Sequence, residues 1–268
     1  MSDFSKRVRK ALSKQQSLRQ ERKNMPVEYK QQCYNCGVDL TKETATREHI
    51  PAKCLFEGFA DTHKVNRLTV PACRECNNKC SDADEEFRNM IGILSKNPAN
   101  DGITQKAIKS IERKYLSAPE KFFINSMNRP IPVEIDRDKI EAFNKKNFKG
   151  LFYYKYGFPL PANYELLVHI DETDWSNSLL QIIGYLVNNF NWKHSGHEDI
   201  FKYIIQPFCE GWRGGVNKDD IIIQQDEHYF MAAMLYNQIY GAMVFAVKKD
   251  ELEAAKKKRI RREANKWI

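Results

Sequence analysis

Two cysteine pairs constrain this chain more than any other feature: Cys33 and Cys36 in CYNCG, and Cys73 and Cys76 in ACREC. Two C-x2-C turns supply four thiolates, the number that a tetrahedral structural Zn²⁺ site needs. The competing use of such cysteines is a pair of disulfides. The N-terminus, MSDFSKRVRKALSKQQ, has no apolar signal core, and no run of about 18 apolar residues occurs. The chain is therefore expected in the cytoplasm and off the membrane, where thiols stay reduced and zinc is favoured over disulfides. Cys54 and Cys209 stand alone and read as small buried apolar residues, whereas Cys80 is near enough to Cys76 to compete as a ligand. The region around the knuckles is poor in large apolar side chains, so bound zinc supplies part of its folding energy.

Residues 37–72 separate the pairs, and inside them lies TREHIPAKCLF, residues 46–56, which sets Glu48, His49 and Pro51 close together. The expected order is a knuckle, a short strand ending at His49, a second strand in RLTVPA, a knuckle and a helix in SDADEEFRNMIGIL. Ser81 with Asp84 three residues later reads as a capping box, and Phe87, Met90, Ile91 and Leu94 as the buried stripe.

Beyond the break SKNPANDG, Ile103, Ala107, Ile108, Ile111 and Tyr115 share one helical face, and Pro119 opens another helix. Asp136 or Asp138 can cap a helix carrying Ile140, Phe143, Phe148 and Leu151, which Gly157 with Pro159 and Pro161 ends. The chain then turns β-rich: YELLVHI, DIFKYIIQPF, IIIQQ, MAAMLYN and AMVFAV read as strands, with a helix in SNSLLQIIGYLVNNF. The expected fold class is α+β. Its expected parts are a basic helical extension (1–30), a zinc-stapled module (31–95), a helical connector (96–157), an α+β body with antiparallel sheet (158–247) and a basic C-terminal helix (248–268). His194 and His197 have metal-like spacing in a polar loop but read as surface residues, as do His63 and His228; His169 reads as a packed strand residue.

The formal charge of +8 favours an anionic partner. Much of the excess lies in two end segments, SKRVRKALSKQQSLRQERKN and KKDELEAAKKKRIRREANKWI, each free of Gly and Pro and rich in helix formers. Neither has the broad apolar face of an interfacial helix.

The order C-x2-C, E-H-I-P, then V-P-x-C-x2-C-N-N-x-K resembles the zinc-knuckle branch of the HNH nuclease family over about residues 33–90. FKGLFYYKYGFPLP is similar to a segment that follows the nuclease motif in many bacterial proteins of this kind. The resemblance implies a ββα-metal fold and hydrolysis of phosphodiester bonds, with DNA favoured over RNA. It implies His49 as general base, and a neutral imidazole suits that task. Glu48 would be the catalytic-metal ligand, one methylene longer than the Asp usual there, and Asn77 or Asn78 would replace the family's closing His. An oxygen-only set selects Mg²⁺ or Mn²⁺ over a second zinc, and Asp84 or Glu85 could add a ligand. Asn66 would brace the loop between the strands, because Leu68 holds the position of the family's middle Asn. Arg47, Lys53, Arg74 and Lys79 would contact the nucleic-acid backbone. The resemblance further implies a bacterial or phage origin and a role in phage or mobile-element defence. Two other readings stand beside the nuclease: a zinc-stabilised nucleic-acid-binding module without catalysis, and a nuclease subunit whose C-terminal body docks a protein partner or a second copy.

Overall fold

The strands that flank the expected histidine form because their side chains alternate. Leu68–Cys73 buries every second residue, beginning with Leu68, Val70 and Ala72, and pairs antiparallel with Ala45–Ile50. In this register Glu48 faces Val70, His49 faces Thr69 and Ile50 faces Leu68. The computed structural model describes residues 31–95, 101–117, 135–169, 191–208, 229–254 and 257. The first knuckle lies between the short strands β1 (Gln31–Gln32) and β2 (Asp39–Leu40); β3 is Ala45–Ile50 and β4 is Leu68–Cys73. Helix α1 (Arg74–Lys79) and helix α2 (Ser81–Leu94) follow directly.

The capping box expected at Ser81 does not form. Cys80 occupies the N-cap in a helical conformation, because α1 runs almost straight into α2 and leaves no extended residue there. Ser81 instead donates to the Asn78 carbonyl at 3.0 Å. Phe87, Met90 and Ile91 are buried as expected, but Leu94 and Ile108 are exposed at the rims of their helices. Helix α3 (Asp101–Leu116) buries Ile103 and Ala107 against α2.

Helix α4 (Arg137–Tyr156) has its expected ends: Asp136 accepts the Lys139 N–H at 3.2 Å, and Gly157 closes it at a φ of 84°. That left-handed conformation is strained for residues with a Cβ. Strands β5 (Tyr164–His169), β6 (Lys193–His194), β7 (Phe201–Phe208), β8 (Tyr229–Tyr236) and β9 (Tyr240–Lys248) form an antiparallel sheet in the order β5-β9-β8-β7-β6. The fold is thus α+β. The basic extension at residues 1–30, the helix expected at Pro119, the strand IIIQQ, the helix in SNSLLQIIGYLVNNF, Cys209 and His228 lie outside the described residues. So does most of the C-terminal run, although residues 249–254 are helical.

One apolar core joins the knuckle strands, α4 and the five-stranded sheet. Phe87 of α2 stacks on Phe143 of α4 at 3.9 Å between ring centroids and meets Tyr236 of β8 edge-on at 4.7 Å. Tyr236 is fully buried, so its hydroxyl needs partners. It donates to Asn144 Oδ1 at 3.2 Å and accepts from Asn147 Nδ2 at 3.1 Å, both on α4. Helix α4 also presses on β3: a Cβ at Gly150 would lie 2.4 Å from Ile50 Cδ1. From Gln32 onward the described residues belong to one compact unit.

Candidate metal centre and active site

The four knuckle cysteines meet although residues 37–72 separate the pairs. Backbone bonds shape the first turn, with Cys33 N–H donating to Val38 O and Gly37 N–H to Cys33 O, each at 2.9 Å. Tyr34 N–H reaches Pro71 O at 2.9 Å and ties the first turn to the end of β4. Cys73 then caps α1, its sulfur accepting the Cys76 N–H at 3.4 Å. The ligand sulfurs of Cys33, Cys36, Cys73 and Cys76 all lie within 4.8 Å of one another. Cys36 and Cys73 stand 3.8 Å apart at sulfur, and four Zn–S bonds of about 2.3 Å in a tetrahedron space their sulfurs by about 3.8 Å.

The cluster is compatible with structural Zn²⁺. Burial pushes the Cys76 thiol up, whereas backbone amides pull Cys33 down to about 7 against the effect of burial. A dication is what lets four such groups ionise together. Cys80 is not in the cluster, and Cys54 is tucked under α2, donating to the Asp84 carbonyl at 3.5 Å. Among the described residues no histidine joins a comparable group. His194 is bonded to its own turn at Gly196 O, His63 meets His197 in a tilted ring contact at 4.1 Å between centroids, and His169 sits half-buried against Phe245.

A cavity of about 400 Å³ opens between β3, α1 and α2. Strand β3 lines it with Arg47, Glu48 and His49, α1 with Asn77, and α2 with Asp84. Near the end of β3 Glu48 is buried and His49 half-buried, and both line the cavity. Burial, joined by the positive charges of Arg67, Lys53 and Lys146, lowers the His49 pKa to about 4. The imidazole is therefore neutral at cellular pH, with a lone pair free to accept a proton.

Glu48 carries the sharpest electrostatics of the site. It is 5% exposed, and its Oε1 accepts from Lys146 Nζ of α4 at 3.3 Å. The same ammonium contacts Asp84. Burial works against the Lys146 charge, but Asp84 and Glu48 outweigh it and hold its pKa above the ordinary lysine value, while at Glu48 and Asp84 burial outweighs the lysine and holds both carboxyls above their ordinary values. Glu48 Oε2 remains buried with no hydrogen-bond partner. Such an oxygen is costly to leave unmatched, and it suits a hard cation such as Mg²⁺ or Mn²⁺. With Asp84 and Asn77 on the same wall, the donor set is oxygen-only.

The remaining expected residues divide. Asn77 lines the cavity and donates to Thr46 Oγ1 at 3.3 Å, whereas Asn78 is exposed and outside the lining. Glu85 also lines the cavity, and its Oε1 accepts Ser110 Oγ at 2.7 Å and Arg88 at 3.2 Å. Asp84 is the acid that turns toward Glu48. Arg47 and Lys53 are exposed on the cavity wall beside Arg88. Arg74 and Lys79 lie on the outer face of α1, where Lys79 is paired with Glu75 at 2.5 Å.

Asn66 is exposed in the left-handed region at a φ of 56°, and what it offers is its carbonyl, which accepts the Gly196 N–H at 3.3 Å. The brace across the strand ends comes from Ser195 instead, whose hydroxyl accepts Leu68 N–H and donates to Ile50 O. No local signal marks Ser195 or Lys146, since each reaches the site from a distant segment. Comparison with protein-family models, with curated proteins and with solved structures gives no match.

Proposed function

We propose that the chain is a metal-dependent endonuclease of the HNH type that hydrolyses phosphodiester bonds, with DNA as the favoured substrate. The observation that carries this reading is the convergence of neutral His49, buried Glu48 and Asn77 on one cavity edged by Arg47, Lys53 and Arg88. The strand–strand–helix order around it, with four cysteines pinning its two ends, supports the family resemblance.

In this mechanism the exposed Arg47 and Lys53 hold the backbone phosphates by charge. His49 takes a proton from a water aligned with the phosphorus. The water oxygen bonds to phosphorus, the P–O3′ bond breaks, and the products are a 5′-phosphate and a 3′-hydroxyl once the leaving oxygen gains a proton from solvent. Glu48, with Asn77 and Asp84 beside it, would hold Mg²⁺ or Mn²⁺, which supplies charge neutralisation for the phosphorane and the leaving oxygen. Structural Zn²⁺ on Cys33, Cys36, Cys73 and Cys76 would fix the strand–helix junction that positions Asn77.

A second reading, a zinc-stabilised binding module without catalysis, is favoured by one observation: Lys146 already neutralises part of the Glu48–Asp84 charge. Incubation of the purified chain with supercoiled plasmid, single-stranded DNA and RNA, each with Mg²⁺, Mn²⁺ or EDTA, separates the two. Metal-dependent, EDTA-sensitive cutting supports the nuclease; binding without cutting on every substrate supports the module.

A further inference from the structure

The proposed hydrolysis assigns Lys146 no step. It stands 98 residues from Glu48, and its side chain is 4% exposed. A buried ammonium is unfavourable unless anions offset its desolvation, and here two carboxylates contact it. Its reach is fixed by packing. Gly150, one turn further along α4, sits against Ile50 so closely that no Cβ fits, which clamps the helix to β3 beside His49. The lysine takes Glu48 Oε1 and an Asp84 oxygen, and leaves Oε2 of this cavity-lining glutamate as a buried acceptor without a partner.

We propose that Lys146 is a positioning residue and resident counter-cation. It keeps Glu48 and Asp84 assembled with Glu48 Oε2 free, and it weakens divalent-cation binding at that oxygen. The inference rests on the reading of Glu48 as a cation ligand. A positive charge in contact with both carboxylates repels a second cation at the same oxygens. Without it, two buried carboxylates would repel one another and lose their common geometry. Lys146 thus favours an ordered site over a tight one.

The test is Mn²⁺ binding to the full, zinc-loaded chain without nucleic acid, read from the electron paramagnetic resonance signal of free Mn²⁺. Lys146→Met should bind Mn²⁺ about tenfold to a hundredfold more tightly than the parent, the usual reach of a residue that acts through a metal ligand. Its cleavage at saturating Mn²⁺ should be slower, with KM for nucleic acid little changed, because orientation is lost and phosphate binding is not. Unchanged or weaker Mn²⁺ affinity in a folded variant overturns the proposal, as does undetectable Mn²⁺ binding in parent and variants alike.

If Lys146→Met lacks a cooperative melting transition, Asp84→Asn is compared with the double variant Asp84→Asn and Lys146→Gln, which keeps the parent's net charge. The double variant should bind Mn²⁺ at least about tenfold more tightly than Asp84→Asn alone, by the same reach through a ligand, and equal or weaker binding overturns the proposal. A lysine effect in a chain that cuts no nucleic acid retains this proposal and removes the nuclease reading. A metal-dependent cutter whose Mn²⁺ affinity ignores Lys146 does the reverse.

Discussion

Ser195 donates its hydroxyl to the carbonyl of Ile50 at 2.5 Å, one residue past His49 and 145 positions away in sequence. The same oxygen accepts Leu68 N–H at 2.8 Å, so one fully buried side chain joins the paired ends of β3 and β4. The candidate base therefore stands on a strand whose end is fixed from the five-stranded sheet. Ser195→Ala should leave a buried donor and a buried acceptor unmatched and destabilise the fold by about 1–3 kcal/mol. Urea unfolding at constant slope measures this, and an unchanged midpoint would contradict the brace.

The cysteine cluster predicts one zinc per chain. Elemental analysis of the folded protein should find about one equivalent, and Cys73→Ser should bring it below about half, since a closed four-thiolate site does not tolerate the loss of a ligand. Cys73 also caps α1, and the knuckle strands share their core with α4 and the five-stranded sheet. The melting temperature of the whole described unit should fall with the metal. A Cys73→Ser chain with full zinc and parental melting would place the metal elsewhere.

Stability should depend on pH through His49. Its imidazole titrates near 4 when folded, against 6.5 for the free side chain, so the unfolded chain binds more protons between these values. The contribution is fully present above about 6.5 and is lost as the pH falls through about 4. Urea midpoints of His49→Gln should therefore fall less steeply from pH 6.5 to 4 than those of the parent. Parallel curves would mean that the imidazole is not held neutral.

Spacing carried what was local. The C-x2-C pairs, the strand ending near His49, the Asp136 cap and the Gly157 stop each depend on residues a few positions apart, so short-range geometry exposed them. The Ser81 capping box failed because α1 and α2 nearly merge, a feature of tertiary packing that no four-residue pattern carries. Leu94 and Ile108 fit helical periodicity yet fall at the edges of their contacts. Lys146 and Ser195 were invisible for a different reason. A lysine in a helix and a serine in a loop are ordinary until α4 and the β6–β7 turn bring them to β3.

Phosphate contacts should come from the cavity wall more than from the outer face of α1. Arg47→Ala and Lys53→Ala should each weaken nucleic-acid binding and reduce the slope of log affinity against log salt by about 1. Lys79→Ala should change both less, because its ammonium is already engaged by Glu75. Equal effects at all three positions in a filter-binding salt series would move the interface onto α1.

Whether His49 activates water is read from the cleavage rate of His49→Ala beside the parent on the same substrate with saturating Mg²⁺ or Mn²⁺. A loss of about a hundredfold to ten-thousandfold is expected, with zinc content and nucleic-acid affinity unchanged, because a base acts in the transition state and contributes little to ground-state binding. A His49→Ala chain that cuts as fast as the parent would make this histidine a bystander and remove it from the chemistry.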